Sequence, residues 1–251
     1  MSGALGSAPG GPAEDPRRAQ LAGRLQAVGE RIDAAMASAG RRDAAPRLIV
    51  VTKFHPAEDV ARLASLGVTD VGENRDQEAA DKAARLQELP LHWHFIGQLQ
   101  SNKAKSVVRY AHAVHSVDRP QLVDALAKAV RAEQDRTGRT DLECFIQVSL
   151  DTAAGGHRGG ALPADVADLA DRVAAADGLR LAGVMAVAPL GADPGPAFER
   201  LAEISARLRA GHPGATGISA GMSQDLEQAV RSGATHLRIG SDILGPRPAV
   251  R

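Results

Sequence analysis

Apolar positions recur along this chain in two rhythms, and the switches between them predict its elements. Leu21, Leu25, Val28, Ile32 and Met36 return every three or four residues, which predicts an amphipathic helix from about Asp15 to Ala39 with Gly40 placed to end it. Leu48 to Val51 is instead a continuous, mostly β-branched run, the pattern of a strand covered on both faces. Pro56 stops that strand and opens a helix to about Ser65. The alternation then repeats. Further strands are predicted at Val68–Gly72, His92–Gly97, Ala113–Val117, Leu142–Leu150, Leu179–Val187, Thr216–Ser219 and Thr235–Gly240. Helical spacing falls between them: Asp76–Glu88, a stretch ending near Tyr110, a face of Leu122, Val123, Leu126 and Val130, Pro163–Ala176, a face of Phe198, Leu201, Ile204 and Leu208, Ser223–Ser232, and a short helix from Ser241. Asp118 and Pro120 read as cap and first-turn proline of the third of these.

Eight strands alternating with helices predict an α/β protein with a parallel sheet, and eight repeats in this length fit a closed (β/α)8 TIM barrel. No Gly-x-Gly-x-x-Gly follows the first strand, which counts against a dinucleotide fold. Met1 to Pro16, rich in Gly, Ala and Pro, is expected to be a disordered tail, and residues 17–251 a single domain. Zero formal net charge and 2% aromatic residues argue against a nucleic-acid partner. The single cysteine, Cys144, excludes an internal disulfide, reads as a small buried hydrophobe, and points to a reducing cytoplasm. No apolar run has the length of a membrane span, so no membrane partner is expected.

The chemistry gathers around Arg47-Leu-Ile-Val-Val-Thr-Lys53. Of the five lysines, Lys53 alone falls at a strand end; Lys82, Lys103, Lys105 and Lys128 sit in helical patterns. Alternation puts Ile49, Val51 and Lys53 on one face, where partial desolvation lowers an amine's pKa and suits it to a carbonyl Schiff base. The plain alternative is a lysine reaching to solvent. In such barrels phosphate often binds after strands seven and eight. Ser219-Ala-Gly-Met-Ser223 leads toward a predicted helix there. Gly221 is expected to let backbone approach a ligand, Ser219 and Ser223 to donate hydroxyls, and Asp225 to stand in the first turn. Gly240 and Ser241 offer further donors. Arg238, two residues before Gly240, shares its face and needs either a ligand or a carboxylate such as Glu73. A strand-end amine, a phosphate cup and an inward arginine suit a phosphorylated aldehyde. Two ligands satisfy that: a sugar phosphate in a Schiff-base aldolase, or pyridoxal 5′-phosphate (PLP).

Val51-Thr-Lys53, Gly72-Glu-Asn74, His94-Phe-Ile-Gly-Gln-Leu-Gln-Ser-Asn-Lys103, Ser219-Ala-Gly-Met-Ser-Gln-Asp225 and Arg238-Ile-Gly240 resemble, in order, the PLP homeostasis protein family, also called the proline synthetase co-transcribed homologue family. The resemblance runs from about Leu21 to Gly245, and its most specific part is the block at His94. It implies a barrel like the N-terminal domain of alanine racemase. It also implies Lys53 as the Schiff-base lysine, Asn74 near the ring, Ser219, Met222, Ser223, Gly240 and Ser241 around the phosphate, and Arg238 facing the pyridine nitrogen. Arg75 departs from the family's frequent tyrosine, Gly155-Gly-His-Arg-Gly-Gly160 from its usual loop, and the tail is extra.

The function implied is a monomeric, cytoplasmic PLP carrier that buffers or delivers the cofactor through a reversible Schiff base, with PLP-dependent apo-enzymes as partners. A guanidinium at the ring nitrogen disfavours its protonation and so weakens the ring as an electron sink. Catalysis by a racemase or decarboxylase, the alternative, requires a second acid/base in the mouth, and none is expected. The chain ends at Arg251, with no expected room for a second domain, and its one tyrosine, Tyr110, is placed outside the mouth. His92 and His94 share a strand face and read as packing and hydrogen-bonding residues, with His94 near the cofactor; no metal site is expected.

Overall fold

A computed structural model of the chain describes residues 15–151 and 159–247. Strands β1 (Arg47–Val51), β2 (Asp70–Glu73), β3 (His92–Phe95), β4 (Ala111–Val117), β5 (Leu142–Gln147), β6 (Leu179–Met185), β7 (Gly217–Ser219) and β8 (His236–Ile239) occur where the apolar runs predict them, mostly trimmed at their ends. They pair in chain order, all parallel, and β8 pairs back on β1, so the sheet is a closed barrel. Around it stand α1 (Pro16–Ser38), α2 (Ala57–Ser65), α3 (Asp76–Arg85), α4 (Ala104–Val107), α5 (Pro120–Thr137), α6 (Val166–Ala174), α7 (Pro194–Gly211), α8 (Leu226–Arg231) and α9 (Ser241–Leu244).

Period-two alternation sorts the strand residues between two cores. On β5, Leu142, Cys144 and Ile146 are buried in the large core that the helices share, while Phe145 joins Ala113, Ala182 and Met185 in a small separate cluster. Cys144 is fully buried as expected, and burial pushes its thiol up to about 12. The lumen therefore holds few apolar side chains, and polar ones share it: Asp70, His94, His115, Ser219 and Arg238 are all buried. Helix α1 lies against α8, α9 and α2. Its Leu21, Val28, Ile32 and Met36 are buried, and Arg31 pairs with Glu227 at 2.8 Å and Asp242 at 2.6 Å.

Two boundaries differ from expectation. The Asp15 carboxylate caps α1 by accepting from the Arg17 and Arg18 amides and Pro16 opens it, so the helix begins one residue before residue 17. The rest of the expected tail, residues 1–14, lies outside the described residues. Arg119, not Asp118, is the N-cap of α5; the Asp118 carboxylate binds the Arg119 guanidinium at 2.6 Å instead, while Pro120 opens the helix as expected.

The β6–β7 seam depends on two residues without side chains. Gly183 has φ 151°, and a Cβ there would lie 1.9 Å from the Gly217 carbonyl oxygen. A Cβ on Gly217 would lie 2.5 Å from the Phe145 ring. Only backbone can move to relieve the first contact, and that movement opens the barrel. Gly183→Ala is therefore expected to destabilise the protein by roughly 3 kcal/mol or more, read as a lowered urea midpoint. Gly214→Ala, which meets nothing within 4 Å, is the control and should leave the midpoint within about 0.5 kcal/mol of the parent. Equal midpoints for the two variants would refute this account of the seam.

Candidate functional site at the mouth of the barrel

A cavity of about 650 Å³ opens where the C-terminal ends of β1, β7 and β8 converge, the end at which barrel active sites lie. Lys53, His55, Ser223, Asp225, Arg238 and Ser241 are among its lining residues. Lys53 is not on the strand: β1 ends at Val51, and the lysine sits in the following turn, half-buried. The turn brings it to the mouth all the same. It does so at the expense of Phe54, held at φ 69°, the only non-glycine with positive φ among the described residues. That conformation is disfavoured for a bulky side chain and persists only where neighbours enforce it.

The neighbours are a buried ionic cluster. Lys82 Nζ donates to the Thr52 carbonyl at 2.9 Å and to Glu73 Oε1 and Glu78 Oε1, both at 2.7 Å. Glu78 Oε1 in turn accepts from the Phe54 amide at 2.6 Å, and Glu73 Oε1 from Thr52 Oγ1 at 2.6 Å. Outside, the guanidinium carbons of Arg247 and Arg75 lie 4.3 and 5.0 Å from the Phe54 ring centroid. Burial pushes the Lys53 ammonium below its ordinary value, Arg247 adds to the shift, and Glu73 opposes it. A larger fraction of Lys53 is thus the nucleophilic free amine at neutral pH.

Arg238 is 4% exposed and lines the same cavity, as its position two before Gly240 implies. Glu73 is not its partner, being taken by Lys82 and Thr52. Arg238 Nη1 instead donates to Ser219 Oγ at 2.6 Å and Nη2 to the Ala186 carbonyl at 2.8 Å. Burial brings its pKa down to about 10, against which Asp225 acts, so it remains a cation at neutral pH. Ser219, expected at the phosphate, is fully buried, does not line the cavity, and holds Arg238 from beneath. Asn74, expected near the ring, does not line the cavity either; it is half-buried, and its Oδ1 is closed off without a hydrogen-bond partner among the described residues.

The expected phosphate cup is partly assembled. Ser223 and Ser241 line the cavity with hydroxyls 3.1 Å apart, beside Gly240 and Met222. Helix α8 begins only at Leu226, so Asp225 precedes it and is not in its first turn. The Asp225 carboxylate accepts the Met222 amide at 2.5 Å, taking a donor otherwise available to a ligand. Gly221 is buried at φ 93°, and a Cβ there would strike Ala229 and Leu237. It is glycine for packing, not for a ligand's approach. Residues 152–158 of the glycine-rich loop lie outside the described residues.

Sequence reasoning missed the roles of four residues. Lys82 reads as a helix-surface lysine, yet it is buried and braces the Lys53 turn. His55 and Asp225 are titratable groups in the mouth, where no second acid/base was expected. His115 lies at the centre of the barrel, within hydrogen-bond distance of His94 and Ser219. Only its alternation on β4 hinted at the lumen. Tyr110 is outside the mouth as expected, with its hydroxyl 3.4 Å from Asp76.

The family model for the alanine racemase N-terminal domain matches residues 24–248. Over 246 residues the chain is 44% identical to the pyridoxal phosphate homeostasis protein of Mycobacterium tuberculosis, spanning 92% of this chain and 94% of that one. The structure of PipY from Synechococcus elongatus with PLP bound is similar at TM-score 0.76 and 31% identity, covering 90% of this chain and all of that one. Alanine racemase from Corynebacterium glutamicum, at TM-score 0.63 and 15% identity, covers 93% of this chain and 62% of its own, a likeness of fold alone. Among the described residues no helix is long and apolar enough to cross a membrane.

The lumen histidines give the fold a pH dependence of definite sign. Burial lowers the pKa of His94 and His115, and that of His236 to about 4. Below about 6.5 the unfolded chain takes protons that the folded one refuses. Stability should therefore fall as pH drops from about 7 to about 5, measured as the urea midpoint. His236→Gln removes one such group and should flatten the slope; an unchanged slope would assign the acid sensitivity elsewhere.

Proposed function

Since the chain belongs to the pyridoxal phosphate homeostasis protein family, we propose that its mouth cavity binds PLP, and that the protein buffers or delivers this cofactor inside the cell with little catalysis of its own. The observation that carries the reading is one cavity lined by a turn-held amine with a lowered pKa, by a buried cation and by a pair of hydroxyls. PLP would supply an aldehyde that condenses reversibly with a primary amine, and a ring whose electron demand rises when its nitrogen is protonated.

The residues fit that group in kind. Lys53 offers the amine. Arg238, still charged at neutral pH, donates hydrogen bonds and takes none, so a ring nitrogen facing it stays an acceptor. Ser223, Ser241 and the Gly240–Ser241 backbone suit the phosphate, while the Ile243 and Leu244 amides of α9 are taken by the Gly240 carbonyl. Met222 adds its side chain to the wall. Asn74 is assigned to the ring's surroundings on its Oδ1, which lacks a hydrogen-bond partner among the described residues, although it does not line the cavity. Ser219 acts through Arg238. The unit that binds is a single barrel domain, acting as a cytoplasmic monomer, with PLP-dependent apo-enzymes as recipients.

Incubation with PLP, borohydride reduction and peptide mass mapping should place one reduced adduct on Lys53. Lys53→Ala should lose it; a full adduct in that variant would move the site. Arg238→Gln should weaken PLP binding by about tenfold and shift the absorbance of bound PLP, as expected for a lost charge-assisted hydrogen bond. An unaltered spectrum would remove Arg238 from the ring.

His55 and Asp225 in the mouth favour a second reading, a PLP-dependent racemase or decarboxylase. Amino-acid α-protons should not exchange with deuterium oxide at a steady rate on the loaded protein. Steady exchange, abolished in Lys53→Ala, would establish the enzyme instead.

A further inference from the structure

Below the cavity floor the lumen holds an unbroken chain of side-chain hydrogen bonds from five strands. Arg238 Nη1 donates to Ser219 Oγ at 2.6 Å. Ser219 Oγ is 2.9 Å from His115 Nδ1, His115 Nε2 is 2.9 Å from His94 Nδ1, and His94 Nε2 is 2.9 Å from Asp70 Oδ1. Asp70 stands at the opposite, N-terminal end of β2, where it also accepts from Arg47 at 3.1 Å and Thr69 at 2.7 Å. The three links through the imidazoles close at normal hydrogen-bond length, and the guanidinium–serine link is slightly shorter.

The donors can be ordered by elimination. A guanidinium only donates and an ionised carboxylate only accepts. Burial would raise the Asp70 pKa, but the bonds from His94 and Thr69 outweigh it and hold the carboxyl below its usual range, so Asp70 is the anion. His94 must then donate through Nε2–H, which leaves its Nδ1 as acceptor. His115 must donate to that nitrogen through its own Nε2–H, leaving Nδ1 to accept the Ser219 hydroxyl proton. Ser219 oxygen, its proton so committed, accepts from Arg238. The reverse order fails at both ends: Asp70 would have to be protonated, and Ser219 Oγ would accept twice with its own proton unplaced. Burial keeps both imidazoles neutral, as the order requires. The His115 ring is held by stacking on Phe145, with centroids 4.3 Å apart and planes 14° apart.

We propose that Asp70, His94, His115 and Ser219 form a one-directional positioning relay, in which a carboxylate at the far end of the barrel fixes the plane and donor set of Arg238 in the cavity. The device leaves Arg238 charged without a carboxylate of its own within ion-pair distance among the described residues. Among the described residues its remaining N–H groups have no further acceptor and can serve a ligand. The site therefore selects an aromatic ligand whose facing atom is an unprotonated acceptor. That last consequence rests on the PLP reading; the relay itself does not.

Long-range proton–nitrogen correlation spectra of the histidine-labelled, ligand-free protein test it directly. His94 and His115 should both be neutral Nε2–H tautomers near neutral pH; an Nδ1–H tautomer at either would overturn the relay without recourse to any variant. Asp70→Leu removes the terminal acceptor. It should change the tautomer of His115, two links away, and shift the absorbance of bound PLP, with binding weaker by about tenfold. Asp70→Asn keeps a carbonyl acceptor and should restore the tautomers. A His115 spectrum indifferent to Asp70→Leu would reduce the chain to separate local bonds. Borohydride trapping on Lys53 is run alongside. No adduct in the parent protein would sink the PLP reading while the tautomers still decide the relay.

Discussion

A guanidinium shut inside a barrel is the constraint from which most of the interior follows. Moving a charge out of water is unfavourable by many kcal/mol unless bonded groups replace the solvent. Arg238 meets that demand with a backbone carbonyl and one serine oxygen, and the serine is itself tied through two imidazoles to Asp70. These side chains occupy lumen positions that a purely structural barrel fills with branched aliphatic residues. The apolar part of the lumen is correspondingly small, centred on Ala113, Phe145, Ala182 and Met185.

The second constraint is local. A free amine at the mouth needs partial burial, and burial needs a rigid support. The Lys53 turn takes both from a neighbouring helix: Lys82 on α3 gathers Thr52, Glu73 and Glu78, and Glu78 holds the amide of the strained Phe54. Two charge systems thus share one barrel without exchanging partners. One fixes the nucleophile's backbone; the other fixes the cation across the cavity. Glu73 belongs to the first, which is why it is not available to Arg238.

The chain's own letters carried much of this. Strand and helix rhythm gave the number and order of the elements, since burial on one face or two leaves a periodic trace in any sequence. The block from His94 to Lys103 gave the family, and the spacing of Arg238 to Gly240 put the arginine on the cavity side. Boundaries were less legible. Asp118 has the chemistry of a cap and loses the place to Arg119, and α8 starts three residues later than the serine at 223 suggests.

What the sequence determined by itself was therefore the barrel, the family and the set of polar groups near the mouth, because those depend on periodicity and on contiguous motifs. Which of those groups meet was decided only by closure of the sheet. Closure sets Ser219 of β7 across the lumen from His115 of β4, 104 positions earlier, turning a presumed phosphate donor into a support for Arg238. It also buries Lys82, whose helical spacing reads as surface. Distances across a barrel arise from the register of all eight strands together, and no local stretch of chain encodes them.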